Sequence, residues 1–272
     1  MDTKFFLGIG LAIVLVFCSA AVYNGFTRLP TAAAIPEDRE TLYQVSTIDA
    51  LMQGVFDGVQ PIRELKKQGD FGIGTFDALE GEMIMLDGRV YQAKSDGRIY
   101  AVLDNATTPF ATVTYFERDI NVTTGQPMNF SVFSTAMSAR LPSQNMVYGV
   151  RMHATFPHMK VRAIPAQQKP YPTLTDAGKN QSVYQYTDVT GTVVGFYTPV
   201  FFKGLNVAGY HLHYISDDQH YGGHILDFTV PANVTVDYDI TPVFEMSLPT
   251  SGAFTGVDLS QDLSEELAQV ES

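Results

Sequence analysis

Tyr210-His211-Leu212-His213-Tyr214, followed by Gly222-Gly223-His224, limits the folds open to this 272-residue chain more than any other segment. Side chains alternate across a β-strand, so His211 and His213 project from one face. Asp217, Asp218, Gly222 and Gly223 stand between that pair and the third histidine, and these residue types turn a chain back on itself. A hairpin there carries His224 alongside the first two. Three neutral imidazoles converging from a hairpin form a three-ligand metal site with an open position, the arrangement zinc uses in catalysis. A His-x-His taken alone is more often structural. Three histidines within fourteen residues, on both sides of a turn, point to a metal.

The body around this hairpin shows the rhythm of antiparallel β structure. Glu82–Leu86 and Arg89–Ala93 flank Asp87-Gly88, a two-residue hairpin signature. Ser95-Asp96-Gly97 turns the chain again into 98–102. Further strands are expected at 111–116, 146–156, 192–197, 209–216, 224–230 and 234–238. Apolar spacing over Leu42–Lys67 reads as two short helices divided near Pro61, and another helix is expected around 128–139. Residues 161–180 read as a crossing loop, and 259–270 as a short acidic helix or docked tail. The fold class is α+β: mostly antiparallel and mixed sheets in two closely packed lobes, about 42–165 and 166–272, with few helices.

A hydrophobic leader precedes the body. Lys4 is followed by an uncharged apolar run from Phe5 to Val22, which fits a signal peptide or a single membrane anchor over 1–29. Residues 30–41 read as a linker. The chain is therefore expected to be exported, either secreted or tethered through 5–22 to the outer face of the cytoplasmic membrane. Asn105, Asn121, Asn129, Asn180 and Asn233 each begin an Asn-x-Ser/Thr sequon, five of the eight asparagines. Cys18, the single cysteine, lies in the leader, so the body has neither disulfides nor cysteine-ligated zinc. A net charge of −12 argues against a nucleic-acid partner.

Two long segments carry a resemblance. Phe71-Gly-Ile-Gly-Thr-Phe-Asp-Ala-Leu-Glu-Gly-Glu-Met-Ile-Met-Leu-Asp-Gly-Arg-Val-Tyr-Gln92 is similar to the N-terminal signature of the α-acetolactate decarboxylases. Gly195-Phe-Tyr-Thr-Pro199, Gly204–Asp218 and Gly222–Phe228 are similar to the C-terminal one. Ala78 and Ala208 depart from the signatures without removing a functional group. The resemblance covers the body from about Leu42. It implies decarboxylation of 2-acetolactate, a 2-hydroxy-3-keto acid, to (R)-acetoin and CO2 at a Zn2+ ion, and a homodimer. The implied ligands are His211, His213 and His224, the three already singled out by spacing. It further implies Glu82 and Glu271 as catalytic carboxyl groups, Arg162 as the active-site cation and Thr75 as a pocket residue.

Taken alone, Glu82 could equally be an exposed strand residue, Arg162 a surface cation and Glu271 a frayed terminal charge. The division of labour between the two glutamates does not follow from the sequence. The expectation adopted is Glu82 as proton donor and Glu271 as the group that closes the site. The chemistry needs no organic cofactor, in keeping with Gly72-Ile-Gly74, which is too short for a dinucleotide fingerprint and precedes a strand. The alternative is another enzyme on three histidines, such as a zinc-hydroxide hydrolase with Glu82 as its base.

Overall fold

Two seven-stranded sheets carry the chain, and the long strands of the second one position the site. The computed structural model describes residues 39–271; the leader and nearly all of the linker lie outside the described residues. No helix among the described residues is long and apolar enough to cross a membrane.

In chain order the first strands are β1 (Thr41–Val45), β2 (Gln60–Pro61), β3 (Phe71–Thr75), β4 (Glu82–Leu86), β5 (Arg89–Ala93), β6 (Ile99–Ala101), β7 (Thr107–Thr108) and β8 (Ala111–Thr114). They are followed by β9 (Ile120–Thr123), β10 (Met128–Asn129), β11 (Tyr148–Ala163), β12 (Ser182–Thr198), β13 (Gly209–Ser216), β14 (Gly222–Val230), β15 (Thr235–Ile240) and β16 (Val243–Ser247). The first sheet runs β16-β1-β8-β3-β4-β5-β6, the second β10-β14-β13-β12-β11-β15-β9, and β2 pairs β7 separately.

The second sheet closes on itself. β11 pairs β12 along its length, while its other side pairs β15 at Tyr148–Met152 and β14 at His158–Arg162. Because β14 also pairs β13, and β13 pairs β12, strands β11 to β14 form a small closed barrel. Its apolar core includes Tyr148, Val150, Met152, Phe156, Met159 and Leu212, with Phe133 and Met137 of the helix Phe130–Ser138 packed against it. That helix is capped by Asn129, whose side chain accepts from the Val132 N–H at 3.0 Å.

Strands β11 and β12 run to 16 and 17 residues, well beyond the expected 146–156 and 192–197. The reason is a paired change of phase. Core-facing residues are even-numbered from Tyr148 to Phe156 but odd at Met159 and Val161. In β12 they are odd at Val193 and Val189 but even at Tyr186 and Tyr184. The change falls at Pro157 in one strand and at Asp188 (φ 50°) in the other, and the pairing resumes beyond both. A broken period reads as two segments when no neighbouring strand is known.

A second apolar layer lies between the sheets, where Leu42, Phe71, Ile73 and Ile84 meet Val194, Phe196 and Ile215. β13 therefore has both faces covered. Tyr210, Leu212 and Tyr214 pack on the barrel core, and His211, His213 and Ile215 face the first sheet.

Two expectations need correction. Thr41–Val45 is not helical but a strand buried at all five positions between β8 and β16, and burial on both faces erases the alternation that marks a strand. The helices of that region are shorter, Ile48–Met52 and Ile62–Leu65. The sheets also do not divide at residue 165: β9, β10 and β11 belong to the second sheet, and β16 returns to pair with β1 in the first. Within the expected loop 161–180, residues up to Ala163 extend β11 and Leu174–Gly178 is helical.

Candidate metal centre and active site

β13 and β14 bring the three histidines together through their register. His213 lies opposite His224, and His211 is two residues along on the same face. Gly223, at φ +151°, enables the approach, since a Cβ there would meet the Arg162 carbonyl oxygen at 2.5 Å. The imidazoles are buried at 8, 1 and 2 % exposure, and one ring nitrogen from each lies within 4.8 Å of the others. Ring centroids stand 5.1 to 5.4 Å apart.

Protonation state follows from this burial. Desolvation, with the Arg162 charge added, lowers His211 to about 3. Desolvation also takes His213 and His224 well below the ordinary histidine value, with the neighbouring imidazoles and Arg162 acting in the same direction. All three are therefore neutral near pH 7, the form that ligates metals. His213 Nδ1 donates to the Met83 carbonyl oxygen at 2.8 Å, which fixes its tautomer and leaves the Nε2 lone pair free. That Nε2, and both ring nitrogens of His224, are buried without a hydrogen-bond partner. Buried polar atoms are rarely left so. The donor set fits a divalent ion with nitrogen ligands.

Two carboxyl groups approach the same point from other elements. Glu82, the first residue of β4, places Oε2 3.7 Å from His213 Nε2. Glu271, just beyond the helix Ser264–Val270, places Oε2 3.6 Å from His224 Nε2 and 3.8 Å from His211 Nε2. These separations exceed hydrogen-bond length, so the five groups surround a shared space rather than bonding to one another. Burial raises Glu82 to about 7, with Arg162 opposing and Glu271 adding to the rise. Burial also raises Glu271 to about 7, against the pull of Arg162.

Arg162 faces His224 across the β11–β14 ladder and is 4 % exposed. Its guanidinium lies 3.5 Å from Glu271 Oε1 and donates to Gln181 Oε1 at 3.3 Å. Thr75 lies opposite Glu82 in the β3–β4 ladder, and its hydroxyl donates to the Gly81 carbonyl at 2.7 Å. The remaining wall is apolar: Ile48, Leu51, Leu79, Phe110, Ile164 and Leu174.

All seven residues singled out in the sequence thus border one small cavity of about 30 Å³. Glu271 also lines a larger neighbouring cavity of about 520 Å³, together with Lys203, Tyr210 and Leu267. Sequence reasoning missed the Met83 carbonyl and Gln181. The first is a backbone group on a strand, invisible to side-chain patterning, and the second falls just past the loop expected at 161–180, ahead of the strand expected at 192–197. Asp217 and Asp218 stay in the turn, where Asp217 pairs with His153 at 3.0 Å and Asp218 with His220 at 3.3 Å.

A buried three-histidine group that could hold a metal ion, flanked by two carboxyl groups and a guanidinium, gathers the ingredients of an enzyme active site in one place. Residues 42–261 match the family model described as alpha-acetolactate decarboxylase. The chain belongs to that family, whose members are carboxy-lyases. It is 50 % identical to the alpha-acetolactate decarboxylase of Methanosarcina mazei over 232 residues, covering 85 % of this chain and 80 % of the relative. It is 44 % identical to that of Methylococcus capsulatus, covering 87 % of this chain and 90 % of the relative. The crystal structure of the alpha-acetolactate decarboxylase from Bacillus subtilis strain 168 superposes with a TM-score of 0.82 at 35 % identity, over 85 % of this chain and 99 % of that one.

Proposed function

We propose that the protein decarboxylates 2-acetolactate to (R)-acetoin and CO2, with zinc as its resident metal. The observation that carries this reading is the convergence of His211, His213, His224, Glu82, Arg162 and Glu271 on one buried point in a chain of this family. A divalent ion held by the three imidazoles would supply a Lewis acid for the substrate's ketone and hydroxyl oxygens. The substrate's own ketone takes up the electron pair left when the C–C bond to CO2 breaks.

The protein's residues divide the remaining work. Arg162 offers a fixed, buried fork of N–H donors for the carboxylate before it departs. Glu82, raised to about 7, holds a proton near neutrality and delivers it to one face of the carbon that carried the carboxylate. Delivery from one side sets the configuration of the product. Glu271 closes the opposite side and orients Arg162 through their ion pair. Thr75 holds the Gly81 carbonyl and so steadies the entry to β4 from which Glu82 projects. The apolar wall accepts the two methyl groups and excludes water.

A cavity of about 30 Å³ holds roughly one water, far less than a five-carbon keto acid. On this reading the helix Ser264–Val270, which leads into Glu271, moves to admit substrate, and the neighbouring cavity of about 520 Å³ that Glu271 also lines offers it space. Export belongs to the same reading and rests on the apolar run 5–22.

Racemic 2-acetolactate tests the chemistry directly. The expected outcome is (R)-acetoin with one CO2 per turnover. Hydrolysis of simple esters with no acetoin formed would replace this reading with the zinc-hydroxide hydrolase.

A further inference from the structure

Five sequons play no part in the decarboxylation site. All five acceptor asparagines, Asn105, Asn121, Asn129, Asn180 and Asn233, are exposed. The number is itself a signal: five of eight asparagines are followed two residues on by Ser or Thr, where the share of those residues in the chain predicts about one. Two of them occupy a particular place in the fold. β9 and β10 are the end strands of the second sheet, Asn121 lies in β9 and Asn129 in β10.

An end strand presents backbone donors and acceptors that invite pairing with another chain, and proteins usually blunt it with a charge, a proline or a cover. Neither Ile120–Thr123 nor Met128–Asn129 contains a charged residue or a proline; their shortness and the Arg140 guanidinium, which donates to the Thr123 carbonyl at 2.8 Å, cover the edges only in part. In β9, Ile120 and Val122 pack against the core, and the two outward positions, Asn121 and Thr123, are the two defining residues of one sequon. In β10, Asn129 is the exposed residue and Ser131 of its sequon is exposed in the following helix. The cap that Asn129 makes uses only its Oδ1, so a substituent on Nδ2 leaves that bond intact.

We propose that this chain carries N-linked glycans, and that those on Asn121 and Asn129 shield the two end strands of the second sheet. The donor is a polyprenyl-phosphate-linked oligosaccharide. Asparagine Nδ2 forms a bond to the anomeric carbon, the bond from that carbon to the phosphate oxygen breaks, and one amide proton is lost. The inference goes beyond the decarboxylase reading and shares with it only the export of the chain.

The test uses the full chain purified from the cells that make it, with peptide mapping by mass spectrometry. Peptides containing Asn121 and Asn129 should carry a hexose-containing mass. Thr123→Ala and Ser131→Ala should each remove one such mass, Thr123→Ser should retain it, and acetoin formation should be unchanged in all three. The double alanine variant should form large species on size exclusion at concentrations where the parent does not. Unmodified peptides at all five sites would overturn the proposal, whether the chain is found outside the cell or retained inside it. Glycans confined to Asn105, Asn180 or Asn233 would overturn the edge-shielding role.

Discussion

The β13–β14 hairpin and the C-terminal segment reach the same point in very different ways. Positions 211 to 216 of β13 are all buried, and the strand is bonded to neighbours on both sides. The helix Ser264–Val270 has no side-chain cap and buries only Val270, with Leu263 and Leu267 partly covered against Ile48, Leu51 and Leu174. Its outer anchor, Lys203–Asp262, is exposed and worth little. One region holds its imidazoles on strands bonded to neighbours, and the other carries Glu271 on a short helix with few buried contacts. The proposed reaction in a cavity of about 30 Å³ calls on both: imidazoles placed in advance to hold a metal, and a carboxyl group whose support can yield to substrate.

The largest effect should come from breaking the rigid half. His213→Ala removes the imidazole held by Met83 and proposed as a metal ligand, and acetoin formation should fall by on the order of 10³-fold, with bound metal lost on elemental analysis. Releasing the lightly packed half should cost less. Glu271→Gln, or a chain ending at Asp262, should lower turnover by roughly 10–100-fold while keeping the metal and a melting temperature close to that of the parent. Full activity in Glu271→Gln would remove the closing role assigned to that residue.

Further from the site, Asp239 gives a pH prediction. It is 1 % exposed and paired with no cation among the described residues, and burial with Asp119 and Glu40 nearby raises it to about 8 against the pull of the Glu117 backbone. Between its ordinary value of 3.8 and about 8 the folded chain binds a proton that the unfolded chain has lost. Stability therefore falls as pH rises through that window. Glu82 and Glu271 act with the same sign, so the informative comparison is Asp239→Asn against the parent. The variant should be more stable at pH 9 by about 1–3 kcal/mol, with a flatter profile in chemical denaturation and unchanged turnover.

The smallest effect concerns Ala78, which sits at φ 59° beside Leu79 at the same angle. Ala78→Gly should relieve up to about 1–2 kcal/mol of backbone strain, offset in part by glycine's greater freedom when unfolded. A slightly raised melting temperature would register the balance.

How much of this was legible in the chain depended on whether the signal was local. The Asp87-Gly88 hairpin and β13 carry their own turn and alternation, and both lie where the sequence places them. The three histidines were readable because strand period and turn chemistry alone bring them together. β1 was not, since a strand buried on both faces looks like a helix face until its neighbours β8 and β16 are known. Arg162 and Glu271 carry no local signal. Arg162 joins the site only because a phase change at Pro157 lets β11 continue to His224, and Glu271 only because Val270 docks on a core gathered from Ile48, Leu51, Phe110 and Leu174, far apart in the chain. For those two, only the resemblance between long motifs could assign a role.

The most direct measurement is acetoin release from 2-acetolactate by the purified protein, before and after exhaustive chelation, with zinc restored in measured amounts. Activity should vanish with the metal and return as zinc reaches one equivalent per chain, and His213→Ala treated in the same way should not recover. Full turnover by metal-free protein, or recovery by the His213→Ala variant, would contradict decarboxylation at the His211–His213–His224 centre.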